Sequence, residues 1–334
     1  MMIVEKIRVS IGSASVLGLN TALKPKDPPT TCYLMTYKHG HCSANCGFCP
    51  QARSSDSSTE KLSRVSWPVY PLIDVISKLK SMPLEKKFKR ICIQTLNYSE
   101  NFNNLIEIVS KIREVFNGPI SVAIPPMKKE QLKKLKEIGV SRIGIALDGA
   151  TPEIFDKIKG KDIKGPYKWE EHYQCLKDAL AIFPENSIST HLIVGLGETH
   201  KDIIVRLKNL HELNITVSLF AFTPVKGTKF ESLEQPDILD FRKIQLGRYL
   251  IVNNIKSLND YKFDRSGNLI YVDISKKDLK GLLQNSNAFM TSGCPGCNRP
   301  NYTSRPSGPT YNYPRELTAK ENEEIYNLLL DIVN

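Results

Sequence analysis

The chain has 334 residues, 41% hydrophobic and 24% charged, enough for a substantial core and compatible with one large α/β barrel. No run of about 18 apolar residues occurs, and the opening Met-Met-Ile-Val-Glu-Lys-Ile-Arg lacks the apolar centre of a signal peptide, so neither a membrane span nor secretion is expected. The formal net charge of +11 fits either a lysine-rich solvated surface or attraction of acidic partners; no recognition motif or interleaved aromatic platform supports nucleic acid.

In chain order, residues 1–30 read as a lead-in, with a short strand expected within 7–19 and a proline-rich stretch at 25–29. Apolar runs then alternate with helical patterns, the rhythm of a parallel barrel. Strands are expected at 31–37, 89–95, 120–124, 142–147, 187–194 and 216–222. Helices are expected between them, at 128–138, 169–183, 201–213 and 237–253 among others. Weaker signals at 269–274 and 288–291 would supply two more strands, making the barrel complete or near-complete. Thr318-x-x-Glu321 reads as a capping box opening a terminal helix. The organisation expected is a lead-in (1–30), a barrel (31–292) and a C-terminal segment (293–334).

Chemistry concentrates in the loop after the first barrel strand, His41-Cys-Ser-Ala-Asn-Cys-Gly-Phe-Cys-Pro-Gln51. Three thiolates in one tight loop, Cys42, Cys46 and Cys49, can hold three irons of a four-iron cluster and leave the fourth open to a small molecule. A structural zinc site wants four ligands, and His41 adjoins Cys42 too closely to complete one readily. Barrel enzymes place their chemistry at the C-terminal ends of the strands, where this loop falls. Eight cysteines, clustered rather than spread, suggest metal ligation in a reducing compartment, read here as cytoplasm.

Further candidates follow the later strands. Asp148 can accept hydrogen bonds from ribose hydroxyls or cap the helix near Pro152. Gly195 and Gly197, in Ile193-Val-Gly-Leu-Gly-Glu-Thr199, let backbone approach a ligand or simply make a turn. Cys294 and Cys297 form a Cys-x2-Cys corner for a cluster or zinc, or a redox dithiol. Cys32 and Cys92, on adjacent strands, are each either buried packing or a companion to that pair, whereas Cys175 reads as packing on a helix.

The spacing Cys-x3-Cys-x2-Cys, with Phe48 before the last cysteine, resembles the signature of the radical S-adenosylmethionine (SAM) superfamily. That resemblance implies a radical SAM (β/α) TIM-type barrel whose open iron chelates SAM and whose electron cleaves it to a 5′-deoxyadenosyl radical. Residues 31–230 further resemble biotin synthase, through Cys49-Pro-Gln51, Arg90-x-Cys92, Leu147-Asp148, Thr151-Pro-Glu153, the 193–199 loop and Val225-Lys-Gly-Thr228. It implies that Asp148 contacts the SAM ribose and that Phe48 and the loop with Gly195 and Gly197 border the adenine and methionine.

The biotin-type second cluster would need cysteines where Ser121 and Ser189 fall, and serine is a poor ligand for soft iron. With Cys294 and Cys297 added, the chain is similar to the two-protein, archaeal-type lipoyl synthases. Two 4Fe-4S clusters and SAM are then implied, the auxiliary cluster drawing on Cys294, Cys297, and Cys92 or Cys32, with Ser304 (or Ser307) as an oxygen ligand. The implied activity is sulfur insertion into an octanoyl or mono-thiolated octanoyl chain on a carrier-protein lysine. The implied partners are an octanoylated lipoyl carrier domain or H-protein, a ferredoxin-type reductant and a paralogous radical SAM protein. The alternatives are a biotin synthase-like enzyme acting on dethiobiotin and a non-catalytic iron–sulfur relay protein.

Overall fold

The computed structural model describes residues 4–22, 24–304 and 308–334. The chain begins with β1 (Lys6–Val9) and a short helix α1 (Ile11–Val16), then enters β2 (Thr31–Thr36). After the cysteine loop come a small hairpin, β3 (Lys61–Leu62) with β4 (Val65–Ser66), then β5 (Val69–Pro71) and α2 (Leu72–Ser81). The regular alternation follows: β6 (Arg90–Gln94), α3 (Asn101–Arg113), β7 (Ile120–Ile124), α4 (Lys129–Glu137), β8 (Val140–Ile145), α5 (Pro152–Ile158), α6 (Trp169–Ile182), β9 (Ile188–Val194), α7 (His200–Glu212), β10 (Thr216–Ala221) and α8 (Ile238–Val252).

Six of these strands run parallel in chain order, β2-β6-β7-β8-β9-β10, while β1 and β5 add antiparallel strands beside β2. Parallel neighbours need crossovers, and the helices supply them while covering the outer face of the sheet. Ile91, Ile93, Val122, Ile143 and Leu192 pack outward against apolar helix positions such as Leu105, Leu132 and Leu207, all at most 1% exposed. Capping fixes several helix starts. Thr151 caps α5 with Pro152 in its first turn, and Thr199 with Asp202 forms a capping box on α7.

The α/β barrel-type fold read from the sequence is present, and its six expected parallel strands lie within two residues of their expected ends. The seventh and eighth strands are corrected. β11 (Tyr261–Phe263) and β12 (Leu269–Val272) form a separate antiparallel hairpin, followed by α9 (Lys276–Asn285). Residues 288–291 contribute only an isolated bridge, Met290 to Tyr313. The sheet is therefore open between β10 and its other edge, and irregular C-terminal chain fills the seam.

The edge of β10 is satisfied by side chains of that segment: Leu219 N–H donates to Ser292 Oγ (3.0 Å), and Asn312 Nδ2 donates to Leu219 O (3.1 Å). Buried Arg242 on α8 donates to Tyr311 O (2.6 Å) and to Thr310 O, anchoring the same segment. The last helix, α10 (Ala319–Leu329), starts at the expected Thr318/Glu321 capping box. No helix among the described residues is long and apolar enough to cross a membrane.

Candidate active site

A cavity of about 450 Å³ occupies the barrel, walled by the C-terminal ends of the parallel strands, the cysteine loop and residues 299–303. Cys42, Cys46 and Cys49 all line it. Their loop is clamped on several sides. Cys42 N–H donates to Gln51 O (2.8 Å), Gly47 N–H to Ile158 O (2.8 Å) and Phe230 N–H to Gly47 O (3.0 Å). A Cβ on Gly47 would lie 2.6 Å from the Phe230 ring, so any larger residue here would have to displace that ring.

The loop thiols are chemically suited to iron. Cys42 Sγ accepts N–H groups from Asn97 (3.1 Å) and Ala44 (3.4 Å). Burial pushes the Cys46 thiol up to about 12 against the pull of Lys159, and it lifts Cys49 well above the ordinary thiol range. Thiols held neutral by burial become thiolates when a metal replaces the proton. Among the described residues no three His, Cys, Asp or Glu side chains converge on one metal ion. Cluster ligation does not require that, because each thiolate takes a different iron.

Asp148 follows β8 in a left-handed conformation (φ 63°). Its N–H donates to His191 O (2.9 Å) and its carbonyl accepts from Ile193 N–H (2.8 Å), a bridge to β9 that fixes it at the cavity wall. Its carboxylate sits 2.6 Å from Lys159 Nζ and 2.8 Å from His191 Nε2. Burial alone would raise the Asp148 carboxyl, but Lys159 and then His191 outweigh it and hold the group well below the usual carboxylate range. Lys159 also donates to Ala146 O (2.9 Å) and lies over the Tyr167 ring.

A second thiol group lies toward the opposite, N-terminal end of the strands. Cys92 is central in β6, paired in register with Tyr33 on one side and Ser121 on the other. Cys294 and Cys297 enter from the C-terminal segment, whose Asn298 binds Thr30 N–H (3.0 Å) and Pro28 O (2.9 Å) just before β2. Each sulfur has a polar neighbour: Gln94 Nε2 donates to Cys92 (3.1 Å), the Tyr33 hydroxyl is 3.2 Å from Cys297, and Ser121 Oγ is 3.8 Å from Cys294.

Two guanidinium groups flank them. Arg90 donates to Ser121 Oγ (2.8 Å) and leaves its buried Nε without a partner. Arg299 stacks on Phe220, 4.6 Å from the ring centroid. Among the described residues neither arginine forms a salt bridge. Two cations without an anionic partner are an unbalanced arrangement, and a thiolate-held, anionic cluster on the adjacent cysteines would balance it.

A family model, "Radical SAM superfamily", matches residues 37–219, which contain the loop cysteines, Cys92 and Asp148. The chain belongs to the radical SAM superfamily. Its sequence is also similar to biotin synthases. It is 26% identical to that of Aquifex aeolicus (strain VF5), over 66% of this chain and 64% of that one. It is 29% identical to that of Clostridium perfringens (strain 13 / Type A), over 76% and 82%. In the first of these matches the chain spans just under two thirds of its relative's length. Among solved structures, methylornithine synthase (PylB) is similar with a TM-score of 0.52 and 15% identity, covering 72% of this chain and 76% of that one. SuiB of Streptococcus suis bound to S-adenosylmethionine gives a TM-score of 0.50 at 13% identity, covering 69% and 49%. At these identities the structural likeness speaks for the fold alone.

Within this radical SAM barrel the expected residues separate into those that converge and those that do not. Phe48 and Asp148 line the cavity with the loop cysteines. Asp148 does not cap α5; Thr151 does. Gly195 and Gly197 stand behind the wall, which that loop reaches through Ile193. Their positive φ values, 102° and 104°, explain the glycines, and the Glu198 carboxylate takes the Gly195 and Leu196 N–H groups (2.6 and 3.0 Å), leaving neither amide free for a ligand.

Cys92 meets Cys294 and Cys297, but Cys32 does not. It faces outward into the helix layer with Leu34 and Ile91, one residue out of phase with Tyr33. Ser304 is also corrected: its hydroxyl accepts Tyr311 N–H (3.0 Å) and contacts none of the thiols. Ser307, the other candidate serine, lies outside the described residues. Ser189 donates to Ile143 O (3.2 Å), and Cys175 is buried against Met127 as a packing residue.

Sequence reasoning missed Lys159, His191, Tyr33, Gln94 and Arg299. His191 was detectable: along β9 residues 188, 190, 192 and 194 are buried, which turns 189, 191 and 193 toward the cavity. The others carried no such signal.

Proposed function

We propose that this radical SAM enzyme inserts sulfur at an unactivated carbon, using one cluster on Cys42, Cys46 and Cys49 and a second on Cys92, Cys294 and Cys297. The supporting observation is the meeting of Cys92 with Cys294 and Cys297 beside two unpaired guanidinium groups, at the far end of the strands from the SAM loop. When bound, the first cluster and SAM supply a 5′-deoxyadenosyl radical, and the second supplies sulfide. No side chain can deprotonate an alkyl C–H, so the protein's part is to orient and to shield. Asp148, locked by Lys159 and His191, keeps an ionised carboxylate ready to accept the SAM ribose hydroxyls. Phe48, Ile193 and Phe222 line the cavity and keep water from the radical.

The substrate we favour is an octanoyl chain, or its mono-thiolated form, on a lysine of a lipoyl carrier domain or H-protein. The net charge of +11 suits an acidic carrier and a ferredoxin-type donor, and a paralogous partner would share the two sulfur insertions. The second reading, dethiobiotin as substrate, draws on the similarity to biotin synthases. Anaerobic reconstitution with dithionite and SAM, followed by mass analysis, separates them. A gain of sulfur on octanoylated or mono-thiolated carrier peptide supports the first. Conversion of dethiobiotin with no carrier product supports the second. SAM cleavage with neither product overturns sulfur insertion.

A further inference from the structure

The two cysteine sets differ in the charge around them. The loop sulfurs meet backbone N–H groups of Asn97, Ala44 and Gln51. The charged groups beside Cys46 are Lys159 and Asp148, one of each sign and paired with each other. Beside Cys92 the charged side chains are Arg90 and Arg299, both cationic; Arg299 also neighbours Cys297, and the Lys89 side chain lies against Gly296 of the same turn. Neither arginine has a carboxylate partner among the described residues. The donors there are side chains: the Gln94 amide on Cys92, the Tyr33 hydroxyl on Cys297 and the Ser121 hydroxyl on Cys294. With the sulfurs ionised by a metal, each hydroxyl must act as the donor. Arg299 N–H (3.0 Å) and Arg90 Nη1 (2.8 Å) occupy the two hydroxyl oxygens, which leaves their protons facing sulfur.

Net charge, hydrogen bonds to sulfur and burial set the potential of a cluster, and cations and donors favour the more negative, reduced form. We infer that Arg90 and Arg299, with Tyr33, Ser121 and Gln94, poise the second site to hold an electron, so that its cluster has a more positive reduction potential than the cluster on the SAM loop. The inference rests on the two-cluster reading above. Its consequence is an order of loading: electrons delivered to the protein reside on the second site before they reach the cluster that cleaves SAM.

The test uses the full chain, reconstituted anaerobically with iron and sulfide in two backgrounds. One carries Cys42→Ala, Cys46→Ala and Cys49→Ala; the other carries Cys92→Ala, Cys294→Ala and Cys297→Ala. Redox titration followed by electron paramagnetic resonance should give a more positive midpoint in the first background. Adding Arg299→Gln or Tyr33→Phe there should move that midpoint negative. Arg299→Lys, which keeps the charge and guards against a folding defect, should retain most of the original value. The same Arg299 and Tyr33 changes in the second background should leave its midpoint in place. Equal midpoints, or a second-site midpoint indifferent to both substitutions, overturn this inference alone. Failure of the first background to bind iron and sulfide overturns the second cluster, and this inference with it.

Discussion

At the scale of single residues, the loop thiols and Asp148 carry separable roles. Replacing Cys46 by alanine should leave the melting temperature near that of the parent while 5′-deoxyadenosine formation disappears; persistent SAM cleavage would remove Cys46 from the ligand set. Asp148→Ala strips the counter-charge from buried Lys159, and breaking such a pair costs about 3–5 kcal/mol. The expected outcome is that loss in urea denaturation, partly recovered by adding Lys159→Met, together with weaker SAM binding that the second change does not restore. The pH dependence has a definite sign. An unfolded aspartate titrates near 4, whereas folded Asp148 is held well below that. Its contribution is complete above the unfolded value and is lost as pH falls toward the folded one. The stability gap between the parent and Asp148→Asn should therefore stay constant above about pH 5 and narrow as pH falls from there to about pH 3 and below. The sequence disclosed Asp148 but not its partners, because Lys159 and His191 reach it from other elements with no motif to join them. The loop cysteines were legible as a set because all three fall within one short loop, at positions 42, 46 and 49.

At the scale of elements, the signals that survived folding were local ones. The Thr318/Glu321 box opens α10 as read, with Arg315 also holding Glu321 through two 2.9 Å contacts. Thr318→Ala should cost about 1 kcal/mol in denaturation and leave SAM cleavage unchanged. The strands were legible as apolar runs, but their phase was not. Every residue of β2 is buried, so hydrophobicity could not tell inward Tyr33 from outward Cys32. That is why Cys32 and Cys92 stood as equals in the sequence and only the register separates them. The weak runs after residue 255 failed for a related reason. An apolar stretch of four residues satisfies a two-stranded hairpin as well as a barrel stave, and β12 took the hairpin.

At the scale of the molecule, residues 292–304 replace missing strands with a strap that closes the seam and brings two thiols to the base of the barrel. Asn298 is its clasp, bound to Thr30 N–H and Pro28 O while its own carbonyl accepts from Thr291 Oγ1 (2.6 Å). Asn298→Ala should cost about 1–2 kcal/mol. It should also lower the iron retained when Cys42, Cys46 and Cys49 are absent, while SAM cleavage in the otherwise intact protein persists. Iron analysis and a deoxyadenosine assay check the two halves. Such a strap has no periodicity, so the sequence offered only its Cys-x2-Cys pair as a landmark. Its position also sets a timetable for synthesis. The SAM loop and its flanking strands leave the ribosome as one continuous stretch, whereas Cys294 meets Ser121 across 173 residues. The upper thiols can gather while translation is under way. The lower three must wait for nearly the whole barrel, so on the two-cluster proposal the loop site is complete first and the strap site last.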